Sequence, residues 1–89
     1  MQEEANENIG DRTVTLIVNG RKKPWHEKKI SFREVVELAY GTYDPSPNVS
    51  YTVTFSKGPD QNPEGRLVDG KSVRVKDGMI FNVKRTNKS

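Results

Sequence analysis

Val14-Thr15-Leu16-Ile17-Val18-Asn19-Gly20 is the stretch whose reading decides the fold. It is rich in β-branched residues and alternates, with Val14, Leu16 and Val18 on one face and Thr13, Thr15 and Ile17 on the other, which is the period of a half-buried strand. Asn19-Gly20 follows at once, and this dipeptide accepts positive φ at both central positions of the two-residue type I′ turn. The chain therefore opens with a β-hairpin. The return strand runs from Arg21 towards Ile30, and Pro24, lacking an amide hydrogen, marks it as peripheral.

Downstream, Ser31-Phe32-Arg33-Glu34 has the S-x-x-E form of a capping box, with Ile30 placed as a staple against Val35. A helix starts there: Phe32, Val35, Leu38 and Ala39 recur at helical spacing, while Arg33, Glu34 and Glu37 take the wet side. Gly41 ends it. Thr42 to Ser50 contains Pro45 and Pro47 and reads as a loop. Tyr51-Thr52-Val53-Thr54-Phe55 alternates as a third strand. Ser56 to Gly65 is a surface loop, and Leu67-Val68-Asp69-Gly70 is a short apolar segment with a turn. Ser72-Val73-Arg74-Val75-Lys76 and Met79-Ile80-Phe81-Asn82-Val83 alternate on either side of Asp77-Gly78, which predicts a closing antiparallel hairpin.

This order places one amphipathic helix across one face of a mixed, four- to five-stranded sheet, an α+β layout for which the β-grasp fold is the economical arrangement. A ferredoxin-like arrangement needs a second helix, and the prolines between Gly41 and Ser50 exclude it. The expected organisation is an acidic, mobile tail over residues 1–11, a folded domain over 12–84 and a mobile C-terminal tail over 85–89.

The 89 residues suffice for about one small domain. There is no cysteine, which removes disulfides, thiolate zinc sites and a thiol nucleophile. No apolar run approaches a membrane span, and the first residues are acidic where a signal peptide is basic, so the expected compartment is the cytosol and no membrane partner is expected. Glu3, Glu4, Glu7 and Asp11 precede every basic residue; setting those four acids aside from the net charge of +3 leaves Arg12 to Ser89 at +7. Such a basic body suits an acidic protein as well as nucleic acid.

Candidate chemistry is sparse. His26 is the only histidine, so no His-His metal pair and no triad with a second histidine can be drawn, and an exposed residue on an edge strand is the expectation. Trp25 beside Lys22, Lys23, Lys28 and Lys29 would offer single-stranded nucleic acid one stacking platform, but a single aromatic is thin, and packing at the sheet edge is the expected role. Asp69-Gly70 and Asp77-Gly78 have one acid each and read as turns rather than calcium loops. No Gly-rich phosphate motif appears, so no cofactor is expected. Ile17 and Ile80 fall opposite their strands' main apolar sets; lying together, they would form a docking spot on the far side of the sheet.

The chain resembles the bacterial multi-ubiquitin domains, ubiquitin-like modules found singly or in tandem. The likeness rests on Val14 to Gly20, on Tyr51-Thr52-Val53-Thr54, and on Leu67-Val68-Asp69-Gly70 through Val73 to Val83; it spans about Arg12 to Ser89, and the strand-Asp-Gly-strand ending is its most specific piece. The resemblance implies a protein modifier rather than an enzyme, acting in a bacterial ubiquitination-like pathway. An activating enzyme adenylates the C-terminal carboxylate, a conjugating enzyme passes it to target proteins, and a deconjugating peptidase trims or releases it. The implied conjugation tail is Arg85, Thr86, Asn87, Lys88 and Ser89. It departs from ubiquitin in having no Gly-Gly, whose missing Cβ suits a narrow active-site channel. The rival expectation is a non-conjugated interaction module that binds an acidic protein or nucleic acid through Lys22, Lys23, Lys28 and Lys29.

Overall fold

The alternation at the start of the chain forms strand β1 (Val14–Val18), with Leu16 and Val18 fully buried. The computed structural model describes residues 13–87; the expected N-terminal tail, Arg12 and the last two residues lie outside them. Asn19 and Gly20 take φ of 51° and 81°, and the chain returns as β2 (Arg21–Trp25), antiparallel to β1 with Val18 opposite Arg21 and Val14 opposite Trp25. The return strand stops at Trp25 rather than running to Ile30. The Trp25 indole donates to the Lys29 carbonyl at 2.9 Å, which closes a bend at residues 26–28, and β3 (Lys29–Ser31) leaves the main sheet.

Helix α1 (Phe32–Tyr40) begins with the expected capping box: Ser31 Oγ accepts from the Glu34 amide at 3.1 Å, and Glu34 Oε1 accepts from the Ser31 amide at 2.9 Å. Gly41, at φ 81°, ends it by donating its amide to the Glu37 carbonyl. Phe32, Val35 and Val36 are the buried face, and Leu38 and Ala39 pack partly buried against the core. The remaining strands are β4 (Val49–Ser56), β5 (Gly65–Leu67), β6 (Ser72–Arg74) and β7 (Ile80–Asn87).

The main sheet is mixed, in the order β2-β1-β7-β4-β5, and β3 pairs with β6 in a separate two-stranded sheet. One helix on a mixed five-stranded sheet is the expected α+β, ubiquitin-like arrangement. The closing hairpin is not formed. β6 pairs with β3, whereas β7 lies parallel to β1 (Ile17 opposite Ile80, Val18 opposite Phe81) and antiparallel to β4 along its whole length. The physical reason lies in the partners of Asp77-Gly78. Asp77 Oδ1 accepts from the Thr15 amide at 2.8 Å, and the Gly78 amide donates to the Thr15 carbonyl at 2.7 Å. The turn is thus fastened to β1 instead of folding β7 back on β6, and the chain crosses over into a parallel strand.

The parallel ladder is short, and a side chain lengthens it. The Ile17 amide donates to Met79 O and the Asn19 amide to Phe81 O; the Asn19 carboxamide then accepts from the Val83 amide at 2.8 Å and donates to the Val83 carbonyl at 3.1 Å. Asn19 therefore does two jobs, accepting the left-handed turn conformation and imitating one more strand residue. Around this seam the core comprises twelve residues, among them Leu16, Val18, Ile30, Val35, Val53, Leu67, Met79 and Phe81, and no polar or charged side chain is buried among the described residues.

Two substitutions test these features. Ser31→Ala removes the cap acceptor and is expected to destabilise the domain by about 1 kcal/mol. Asn19→Asp keeps the turn preference and the acceptor for Val83 N but sets an oxygen against Val83 O, so it should cost about 2 kcal/mol, close to the cost of Asn19→Ala. Urea unfolding midpoints at neutral pH measure both; an Asn19→Asp protein as stable as the parent would remove the ladder role.

Candidate functional site

The sheet face turned away from α1 is set by strand parity. Where β1, β7 and β4 point Leu16, Val18, Phe81, Val83, Val53 and Phe55 into the core, the residues between them point outward. Lys22, Ile17, Ile80 and Ser56 stand in register across β2, β1, β7 and β4. Asn82, Thr54 and Arg66 form the next row and Lys84 with Thr52 the one after. The two isoleucines singled out in the sequence are thus side by side, half-buried, in a face that is otherwise polar. Such a spot suits an anchor for a partner, with hydroxyls and amines around it.

The four lysines named from the sequence do not share one surface. Lys22 is on the outer face beside Ile17, but Lys23, one residue on, points to the helix side beside Leu16. Lys28 is in the bend, and Lys29 opens β3 opposite Arg74. Trp25 packs partly buried against the core, and His26 is exposed, its Nδ1 3.1 Å from Thr13 Oγ1.

Of the residues assigned to a C-terminal tail, Arg85, Thr86 and Asn87 belong to β7 and pair with Tyr51, Ser50 and Val49; Lys88 and Ser89 lie outside the described residues. Arg85 is held further by its guanidinium, 3.2 Å from Asp44 Oδ2 in the loop after α1. That loop is itself fixed: the Asp44 amide donates to Tyr51 Oη, and the rings of Tyr43 and Tyr51 lie 5.4 Å apart. An enzyme that requires Arg85 to Asn87 as a free single strand obtains them in that form only by separating them from β4.

The backbone of β7 has two sides. Phe81 O and both polar atoms of Val83 face β1 and Asn19, so by strand alternation the amides and carbonyls of Arg85 and Asn87 face the same way. β1 has already turned away at Asn19-Gly20, so among the described residues this final stretch of β7 has β4 on one side and no strand on the other.

A second feature went unread in the sequence. At the pole where β1 begins, His26, Lys28, Arg74 and Lys76 surround a concavity of about 440 Å³. Alternation in Ser72 to Lys76 already put Arg74 and Lys76 on one side of their strand; what the sequence did not carry is the β3-β6 pairing that sets them beside Lys28.

Among the described residues no group of histidine, cysteine or acidic side chains could hold a metal ion, and no helix is long and apolar enough to cross a membrane. No curated protein and no solved structure matches the chain. The family model described as multiubiquitin matches residues 14–87, from the first residue of β1 to the last of β7. With the sheet order, the single helix and the match over most of its length in agreement, this chain belongs to the multiubiquitin family.

Proposed function

We propose that this domain is a ubiquitin-like protein modifier. Its C-terminal segment is presented to activating, conjugating and deconjugating enzymes of a bacterial ubiquitination-like pathway in the cytoplasm, and its outer sheet face docks them. A small ubiquitin-like domain is typically not an enzyme, so the bond-making chemistry is assigned to the partners.

The observation that carries this reading is the course of β7. It is the central strand, its first half is clamped between β1 and β4, and its second half continues past the end of β1 to Asn87 with one backbone edge that no strand among the described residues pairs. A partner that adds an extended segment to that edge takes hold of the chain next to its C-terminal residues by main-chain hydrogen bonds, whatever the side chains. The absence of Gly-Gly matters less for such backbone recognition than for threading a narrow channel. The Ile17–Ile80 pair supplies an apolar anchor beside the start of the same strand, and because both side chains are already half-buried, covering them with a partner is worth roughly 1 kcal/mol each.

Intact mass spectrometry of the protein with ATP and an activating enzyme encoded beside it is the direct test. A covalent adduct through the C-terminal carboxylate is expected; an unchanged mass with an enzyme competent on another substrate would end the modifier reading. In the same assay, Ile17→Ala with Ile80→Ala should lower kcat/KM at least about tenfold, equivalent to about 1.4 kcal/mol. The folded fraction in buffer without urea should stay near that of the parent.

A further inference from the structure

The cationic pole is independent of the modifier reading. Its shape is fixed by one side-chain and two backbone contacts: the Trp25 indole donates to Lys29 O at 2.9 Å, the Val75 amide donates to Lys28 O at 3.0 Å, and Lys29 pairs with Arg74. Lys28, Arg74 and Lys76 therefore project from a preformed frame, with His26 beside them and Val14 and Pro59 adding apolar surface. One carboxylate, Glu27, lines the concavity with them, and an adjoining hollow that shares Lys28 and Arg74 adds Lys29 and Glu34. Among the described residues the ion pair is Arg85–Asp44, so the pole's cations have no carboxylate at ion-pair distance there.

We propose that this pole is a docking site for an acidic peptide segment, and that its occupant is the chain's own N-terminal segment, residues 1–12. Charge complementarity is the first argument: Glu3, Glu4, Glu7 and Asp11 are the only charged side chains before Arg12, and their sign is opposite to that of the three lysine and arginine side chains on the rim. Reach is the second. Val14 lines the concavity, so Asp11 is three residues away and Glu3 eleven, which extended chain spans in about 10 Å and 36 Å. A tether this short holds the acids at an effective concentration on the order of millimolar, so several individually weak exposed ion pairs suffice to fill the site. Single-stranded nucleic acid fits less well. Among the described residues no tryptophan, tyrosine or phenylalanine lines the concavity, whose one ring is the His26 imidazole, and the nearby Trp25 indole N–H is committed to Lys29 O. The pole is thus an acidic-peptide receptor kept occupied in cis, and an outside acidic partner must displace the segment.

The full chain tests this. Because it has no cysteine, Ala5→Cys gives a single site for a spin label, and the broadening of backbone amides at Lys28, Arg74, Val75 and Lys76 is read by NMR. Neutralising the segment (Glu3→Gln, Glu4→Gln, Glu7→Gln, Asp11→Asn) should reduce that broadening severalfold, and so should raising the salt to about 1 M, where screening acts within about 3 Å. The four substitutions precede the first described strand, and urea unfolding of the neutralised chain checks that the folded domain is kept. Equal broadening in the native and neutralised chains would mean that the tether alone brings the label near, and would overturn the proposal. A synthetic peptide of residues 1–12, titrated onto the neutralised chain, should shift the same amides and bind severalfold more weakly to the native chain. Shifts at these amides with single-stranded DNA but not with the peptide would replace it with a nucleic-acid site.

Discussion

Two residues of parallel pairing, Ile17-Val18 against Ile80-Phe81, join the first hairpin of this domain to its last strand, and the rest of the structure depends on that seam. Without it β2 and β1 would be an isolated hairpin, which is marginal in water, and β7, β4 and β5 a second sheet with an open edge. A parallel pair also closes the longest loop in the chain, so its formation is opposed by more chain entropy than any other contact here. Several local devices offset that cost. Asp77 and Gly78 bond both polar atoms of Thr15, and the Asn19 carboxamide adds one more rung at Val83. Leu16, Val18, Met79 and Phe81, all buried to within 1% of completely, bring apolar area to the same place.

What was legible in the sequence was what local physics determines. The Asn19-Gly20 turn, the Ser31–Glu34 capping box and the Gly41 stop each involve residues within a few positions of one another, and each took the form that its residues demand. The Asp77-Gly78 turn shows where this ends. Its composition is that of a hairpin turn and Gly78 does take φ of 85°, but the choice between pairing with β6 and crossing to β1 is made by Thr15, 62 residues away from Asp77. Parity explains the lysines in the same way. Lys22 and Lys23 are neighbours in sequence and opposites in the sheet, so a run of basic residues on a strand does not make a patch, whereas Lys28 and Arg74, far apart in the chain, do meet. Ile17 and Ile80 were recognisable as out of phase with their strands, and only the parallel register placed them in one row.

The core among the described residues contains no buried polar or charged side chain, so the interior specifies shape and nothing else. The candidate functional features lie on the surface, in three places that the topology keeps apart: the isoleucine pair on the outer sheet face, the far end of β7 and the cationic pole. Arg85 illustrates how far the fold reaches towards that end. Polar and near the terminus, it reads as tail, yet its strand partner Tyr51 and its carboxylate partner Asp44 make it part of the sheet, and the tyrosines around that loop hold Asp44 for it.

The separation between pole and strand end has a geometric basis. β7 runs parallel to β1 and starts level with Ile17, so from Val14 to Asn87 the two strands together advance ten residues, roughly 33 Å at 3.3 Å each. The chain therefore enters the fold at one pole and leaves β7 at the other. An acidic segment seated on Lys28, Arg74 and Lys76 lies on the far side of the domain from Arg85 to Asn87, beyond the roughly 8–10 Å over which exposed charges act in physiological salt. On the proposed roles, a partner at the C-terminal end and a ligand at the cationic pole would not exclude one another. The short β1–β7 seam links the two regions, with Thr15, bonded to Asp77 near the pole, and Asn19, bonded to Val83 towards the strand end, at its two ends.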